Sequence, residues 1–72
     1  MEERIIRILK EVLEEQNVNL NSTQDSLEKW NSLRHLYLAS ELETEFNVEL
    51  DPEEIAEMKS VRQIVEIIKQ KL

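Results

Sequence analysis

Asn31, Ser32 and His35 are the residues of this chain whose types and spacing could do chemistry, because they cluster where a helix begins. After Ser32 the apolar positions Leu33, Leu36, Leu38, Ala39, Leu42 and Phe46 recur at helical intervals, and before it lie fifteen mostly polar residues, 17–31. The serine hydroxyl therefore stands at a helix N-terminus, where unpaired backbone N–H groups and the positive end of the helix dipole favour an attached phosphate. Helix capping is the alternative reading of the Asn-Ser pair from spacing alone. His35, one turn later, raises the further possibility of a serine activated by imidazole. Nothing in the sequence orients that ring, and a chain of 72 residues offers no evident oxyanion hole, so hydrolysis is set aside. Arg34 and His35 are expected instead to be exposed, touching a partner enzyme or a phosphate.

The elements that must position these residues are bounded by composition. Seventy-two residues make one small domain, whose core typically leaves only ~3–5 kcal/mol of net stability. There is no glycine and no cysteine, one proline and three aromatic residues, so the breakers and aromatic β-runs that mark hairpins are scarce. An all-helical bundle is the expectation. Lacking cysteine, the chain has no disulfide framework, thiolate nucleophile or thiolate zinc site, and any thiol chemistry must be imported. No apolar run is long enough to span a bilayer, and Met1-Glu2-Glu3-Arg4 lacks the basic-then-apolar order of a secretion signal. A cytoplasmic monomer is expected. The net charge of −7 opposes nucleic-acid binding and points to basic partners.

In chain order, Ile5, Ile6, Ile8, Leu9, Val12 and Leu13 predict a first helix from Glu2 to about Gln16. Residues 17–31, rich in Asn, Ser, Thr and Asp, predict a long loop, tied across the bundle by Val18, Leu20, Leu27 and Trp30. The second helix runs from about Ser32 to Phe46, with Asn47 suited to a left-handed C-terminal position. Asp51-Pro52-Glu53-Glu54 reads as a cap, a proline in the first turn and a glutamate three residues after the cap, opening a short third helix through Met58. Ser60-Val61-Arg62-Gln63 repeats that logic for a fourth helix, buried through Val61, Ile64, Val65, Ile68 and Leu72. From Glu41 to Glu57 there are eight acidic residues and no lysine or arginine, which makes either a solvated face or an electrostatic docking surface. The acids lack the alternating ligands and glycine turn of a calcium loop.

Trp30-Asn31-Ser32-Leu33, then Leu42-Glu43-x-Glu45-Phe46-x-Val48-x-Leu50 and Met58-x-Ser60-Val61, resembles the acyl carrier proteins and peptidyl carrier (thiolation) domains over the whole chain. The resemblance implies a four-helix bundle, a single carrier domain over residues 1–72, and no catalytic or metal-ligating residue of its own. It implies that Ser32 receives 4′-phosphopantetheine from coenzyme A through a magnesium-dependent phosphopantetheinyl transferase. Acyl or aminoacyl groups would then ride as thioesters between an activating ligase and downstream synthases or transferases. Asn31, Leu33, Arg34, Tyr37 and Glu43 are the residues expected to meet those partners, and part of the core, with Met58 as an adaptable member, is expected to open around an acyl chain. Two departures stand out. Asn31 replaces the family's usual aspartate and lacks the negative charge that the family uses around the transferase's metal, so loading is expected to be slower, restricted to a particular transferase or absent. Arg34, Tyr37 and Thr44 occupy positions that are acidic in fatty-acid members, which points to a specialised biosynthetic pathway.

Asp25-Ser26-Leu27 imitates the family motif more literally than Asn31-Ser32-Leu33 does. A helix begun at Ser26 would have to continue through Asn31-Ser32, both poor helix formers, and would place Glu45-Phe46 six residues too far away. The competing reading of the whole chain is a carrier-like helical adaptor that is never modified and acts only by binding. Ser32→Ala is predicted to abolish attachment of the arm while Ser26→Ala leaves it intact. Intact mass after incubation with coenzyme A and a broad-specificity transferase decides it, and the reverse pattern would place the arm on Ser26.

Overall fold

The computed structural model describes residues 1–72 and contains four helices: α1 Glu2–Leu13, α2 Ser32–Phe46, α3 Pro52–Glu57 and α4 Val61–Lys71. The expected all-α bundle, with its long first loop and short third helix, is what forms. Ile5, Leu9 and Leu13 on α1, Leu38 and Leu42 on α2, Met58 after α3, and Val61, Ile64 and Ile68 on α4 share one core with no exposed surface. Each helix contributes its stripe at three- and four-residue spacing, so one apolar interior forms between them.

α1 ends three residues before the expected Gln16. Glu14 adopts the left-handed conformation at φ 52°, and both it and Glu15 direct their backbone N–H groups to the carbonyl of Lys10. That closes the helix without glycine. Two acids at the negative end of a helix are unfavourable in isolation, and here cations from elsewhere offset them. Lys29 Nζ donates to the Glu14 carbonyl at 2.9 Å, and Arg34 Nη1 donates to the Val12 carbonyl at 3.0 Å.

At the opposite end, Arg4 donates twice to the Glu45 carboxylate, at 2.7 and 2.9 Å, and lies 4.6 Å above the Phe46 ring. The beginning of each long helix thus grips the end of the other, which fixes α1 and α2 antiparallel. An exposed pair such as Arg4–Glu45 contributes little by itself, typically ~0.2–1 kcal/mol. Its guanidinium also covers an aromatic face, which adds packing to the charge.

The loop is ordered by its own side chains. Ser22 Oγ accepts from the Asn19 N–H and Asn19 Oδ1 from the Asn21 N–H. Val18 and Trp30 are buried, and Leu20 and Leu27 pack partly against the core, as their spacing predicts. The loop is then stitched to the α3–α4 junction: Gln24 N–H donates to the Lys59 carbonyl, Val61 N–H to the Ser22 carbonyl, and Thr23 bridges Ser60. This stitching keeps fifteen residues of irregular chain from floating over the bundle.

The short α3 buries none of its own residues, so it depends on polar ties. Asp51 N–H donates to Glu54 Oε1 at its start, and Lys71 at the end of α4 meets Glu54 at 2.7 Å. The hydrogen bond from Lys71, followed by that from Asp51, holds the Glu54 carboxyl below its usual 4.5. The same bond holds Lys71 above its usual 10.5, with further help from the charges of Asp51 and Glu49. A carboxyl lowered by folding contributes stability above its ordinary pKa and loses it as pH falls through the lowered value. A raised ammonium loses its contribution as pH rises through the raised value. Glu54→Gln is therefore predicted to lower the thermal midpoint at neutral pH, with the gap to the parent protein closing as pH falls below about 4. A gap that persists undiminished at pH 3 would show that this tie is not the cause.

Candidate functional site

α2 begins at Ser32 because Asn31 makes it begin there. The Asn31 backbone is extended, at φ −97° and ψ −179°, while its side chain accepts from the Arg34 N–H at 2.9 Å and its carbonyl from the His35 N–H at 2.9 Å. Two donors of the first turn are thereby satisfied, and those of Ser32 and Leu33 remain without partners. Ser32 is exposed, and no acidic residue occupies the first turn of α2. A phosphate on its hydroxyl would meet free N–H groups and the positive helix end, with no carboxylate beside it. The residues present fit a phosphodiester.

Ser26 is placed otherwise. Its Oγ accepts from the Thr23 N–H at 2.9 Å and donates to the Thr23 carbonyl at 3.0 Å, inside a turn rather than at a helix start. Its backbone N–H is also taken, by Thr23. The literal Asp-Ser-Leu of residues 25–27 thus closes a local turn.

The expectation that His35 and Arg34 are exposed is corrected by their contacts. The Trp30 indole Nε1–H donates to His35 Nδ1 at 2.9 Å, and His35 Nε2 lies 2.7 Å from the Ile55 carbonyl. An indole N–H only donates and a carbonyl only accepts, so the ring is the neutral tautomer with its proton on Nε2. Both nitrogens are committed, and neither is available to activate Ser32. Arg34 is half-buried because α1 leaves carbonyls and Glu14 for it; its Nη1 lies 3.7 Å from the Glu14 carboxylate.

The outward face of α2 carries Leu33, Leu36 and Tyr37, each about three-fifths exposed. Leu33 and Leu36 are thus surface residues, although they belong to the apolar set that signals the helix. Glu43 is half-buried, and its Oε2 accepts from the Leu50 N–H at 2.8 Å, pinning the chain that leaves α2. Asn31 is exposed beside Ser32. Sequence reading missed the Trp30–His35–Ile55 link because it joins three elements and has no periodic signature. Leu36 was grouped with the apolar set, and the signal that would have set it apart as a surface residue is that it lies off the line through Leu38, Leu42 and Phe46.

With this geometry in place, comparison with known proteins is decisive. The family model described as "Phosphopantetheine attachment site" matches residues 3–68. The chain belongs to that family. As a member it is a carrier and not an enzyme, and the family's cofactor is covalently attached 4′-phosphopantetheine. Carriers of this kind work with phosphopantetheinyl transferases and biosynthetic enzymes. No curated protein matches the chain by sequence. The fold is similar to the solution NMR structure of the holo acyl carrier protein from Geobacter metallireducens, with a TM-score of 0.85 at 18% identity. The match covers 97% of this chain and 83% of that one, and at such identity it speaks for the fold. No helix is long and apolar enough to cross a membrane.

Because the Asn31 side chain holds the start of α2, Asn31→Ala is predicted to cost about 1 kcal/mol of stability, and Asn31→Asp only a few tenths. Urea midpoints of the two variants measure this, and equal losses would mean that the Asn31 side chain is not the cap.

Proposed function

We propose that this chain is an acyl carrier protein, a single carrier domain over residues 1–72 that bears its phosphopantetheine arm on Ser32. The observation that carries the assignment is the exposed serine at the start of α2, with unpaired N–H groups beside it and no acid in the first turn. When bound, the arm supplies a thiol that holds acyl or aminoacyl groups as thioesters. The protein's own part is to present that hydroxyl, favour the phosphodiester through the helix end, and offer partners a docking face.

That face is Leu33, Leu36 and Tyr37, apolar side chains left in water next to the attachment point. Asn31 borders it beside the serine. Arg34 lies one turn before Tyr37, and Glu43 lies on the helical line through Leu36 and Ser40, so both form its rim. Part of each rim group is held by the bundle, and the remainder is free to meet a partner. The acids between Glu41 and Glu57 steer basic partners toward it. These partners are a phosphopantetheinyl transferase, an activating ligase and downstream synthases or transferases, acting on a cytoplasmic monomer. Asn31 in place of an aspartate, with Arg34, Tyr37 and Thr44 where fatty-acid members are acidic, supports service in a specialised pathway.

Loading of the parent protein by its host's transferase, followed by intact mass, tests this. Leu33→Ala and Tyr37→Ala are each predicted to slow loading by about tenfold or more, the loss expected when a docking anchor is truncated. Asn31→Asp is predicted to quicken it. Absence of loading in both the parent and the Asn31→Asp protein would leave an unmodified adaptor as the function.

A further inference from the structure

The seam between α2 and α3 just below Ser32 is closed by polar groups. His35, one turn into α2 from the serine, joins the Trp30 indole on one side and the Ile55 carbonyl of α3 on the other. Trp30 is buried, and His35 and Ile55 are half-buried. The two rings lie with centroids 6.0 Å apart and planes inclined by 31°. On the inward side of α2, Ser32, His35, Ala39, Leu42 and Phe46 follow one another at three- and four-residue steps. A chain that left Ser32 and folded down this stripe would meet the imidazole before any core residue.

An alkyl group on a carrier has two places to rest, water or the protein interior. Long chains need the interior, since each methylene left in water is unfavourable. To admit one here, α3 would have to leave α2 and break the hydrogen bond between His35 Nε2 and the Ile55 carbonyl, while the Trp30 indole holds the ring in the seam through Nδ1. The imidazole N–H and the Ile55 carbonyl would then lose partners and face hydrocarbon, which is costly for each group. Beyond the seam, Leu38, Leu42, Met58 and Ile64 have no exposed surface. One hollow of the surface lies between Ala56 and Gln63 and another between Glu2 and Lys69, and neither is lined by Trp30, His35 or Ile55.

We infer that the Trp30–His35–Ile55 bridge bars cargo from the bundle core, so that this carrier holds its thioester-linked group in solvent and is suited to short or polar acyl and aminoacyl groups. The inference deepens the carrier reading and rests on Ser32 as the attachment point. His35 and Trp30 act as specificity-determining residues, in contrast to the core opening that family resemblance alone implies.

The test does not depend on transferase activity. Ser32→Cys introduces the only cysteine of the chain, which is alkylated with N-ethylmaleimide or with an N-dodecyl maleimide. Methyl and amide NMR shifts of Leu42, Ile55, Met58 and Ile64, together with the thermal midpoint, report entry of the chain into the core. With Trp30 and His35 intact, the dodecyl and ethyl adducts are expected to share core shifts and melting midpoint. In the Ser32→Cys protein that also carries Trp30→Phe and His35→Leu, the dodecyl adduct is expected to shift those core signals and melt higher than the ethyl adduct. His35→Gln, which retains hydrogen-bonding groups near the seam, serves as the second variant should the double substitution unfold the protein; a core response to dodecyl larger than that of the protein with the bridge intact is expected. Core shifts and a raised midpoint in the protein with the bridge intact would overturn the inference. So would an unchanged core in every variant that folds, because the bridge would then not be what excludes the chain. Failure of Ser32 to accept the natural arm would instead count against the carrier reading and leave this comparison standing.

Discussion

The hydrogen bond from the Asn31 side chain to the Arg34 N–H decides where α2 begins, and the rest of the functional architecture follows from it. The buried Leu38–Leu42–Phe46 stripe fixes the rotation of the helix, and the cap fixes which residues carry its unpaired N–H groups. With a start one residue later, Ser32 would no longer stand in the first turn. A cap that in most helices only adds stability here also sets the position of the site. Everything else in the bundle holds that position: Arg34 and Lys29 against the end of α1, Arg4 against the end of α2, and Glu43 against Leu50.

A small bundle without glycine or cysteine meets its geometric demands by unusual means. Positive φ angles fall to Glu14 and Asn47, and the carbonyls at the close of α1 are capped by basic side chains from the loop and from α2. The loop, at least as long as the longest helix, is made rigid by serine, threonine and asparagine side chains that satisfy its own backbone. Such local satisfaction lets a long connection run over a small core without leaving buried donors unpaired. The result is a platform from whose fixed surface the proposed attachment point, Ser32, projects, which is what a carrier must supply while its chemistry is done by others.

Much of this was legible in the sequence, and the reasons are specific. α4 and the buried face of α1 follow from periodicity, and α3 from Asp51-Pro52-Glu53-Glu54, because these signals are local; Leu72, expected in the buried stripe of α4, instead lies exposed past the end of that helix, where no element packs on it. The end of α1 was misplaced by three residues, since the helical pattern of charges continues through Glu14 and Glu15 while the backbone turns left-handed at Glu14. Arg34 and His35 were read as exposed because each lies on a polar-looking position whose partners, Val12, Trp30 and Ile55, are distant in sequence or outside the helix. Glu43 looked like a free acidic residue and proved to bond Leu50 N–H. Contacts between elements carry no period, so they appear only when the chain is folded.

The central claim is that Ser32, among the five serines of the chain, is the point at which a phosphopantetheine arm is attached. Tandem mass spectrometry of the protein purified from its own host tests it most directly, by locating the modified residue. The account predicts the arm's mass on the peptide containing Ser32, with fragment ions assigning it to that serine. An arm found on Ser26 or any other residue, or a host-purified population carrying none, would contradict it.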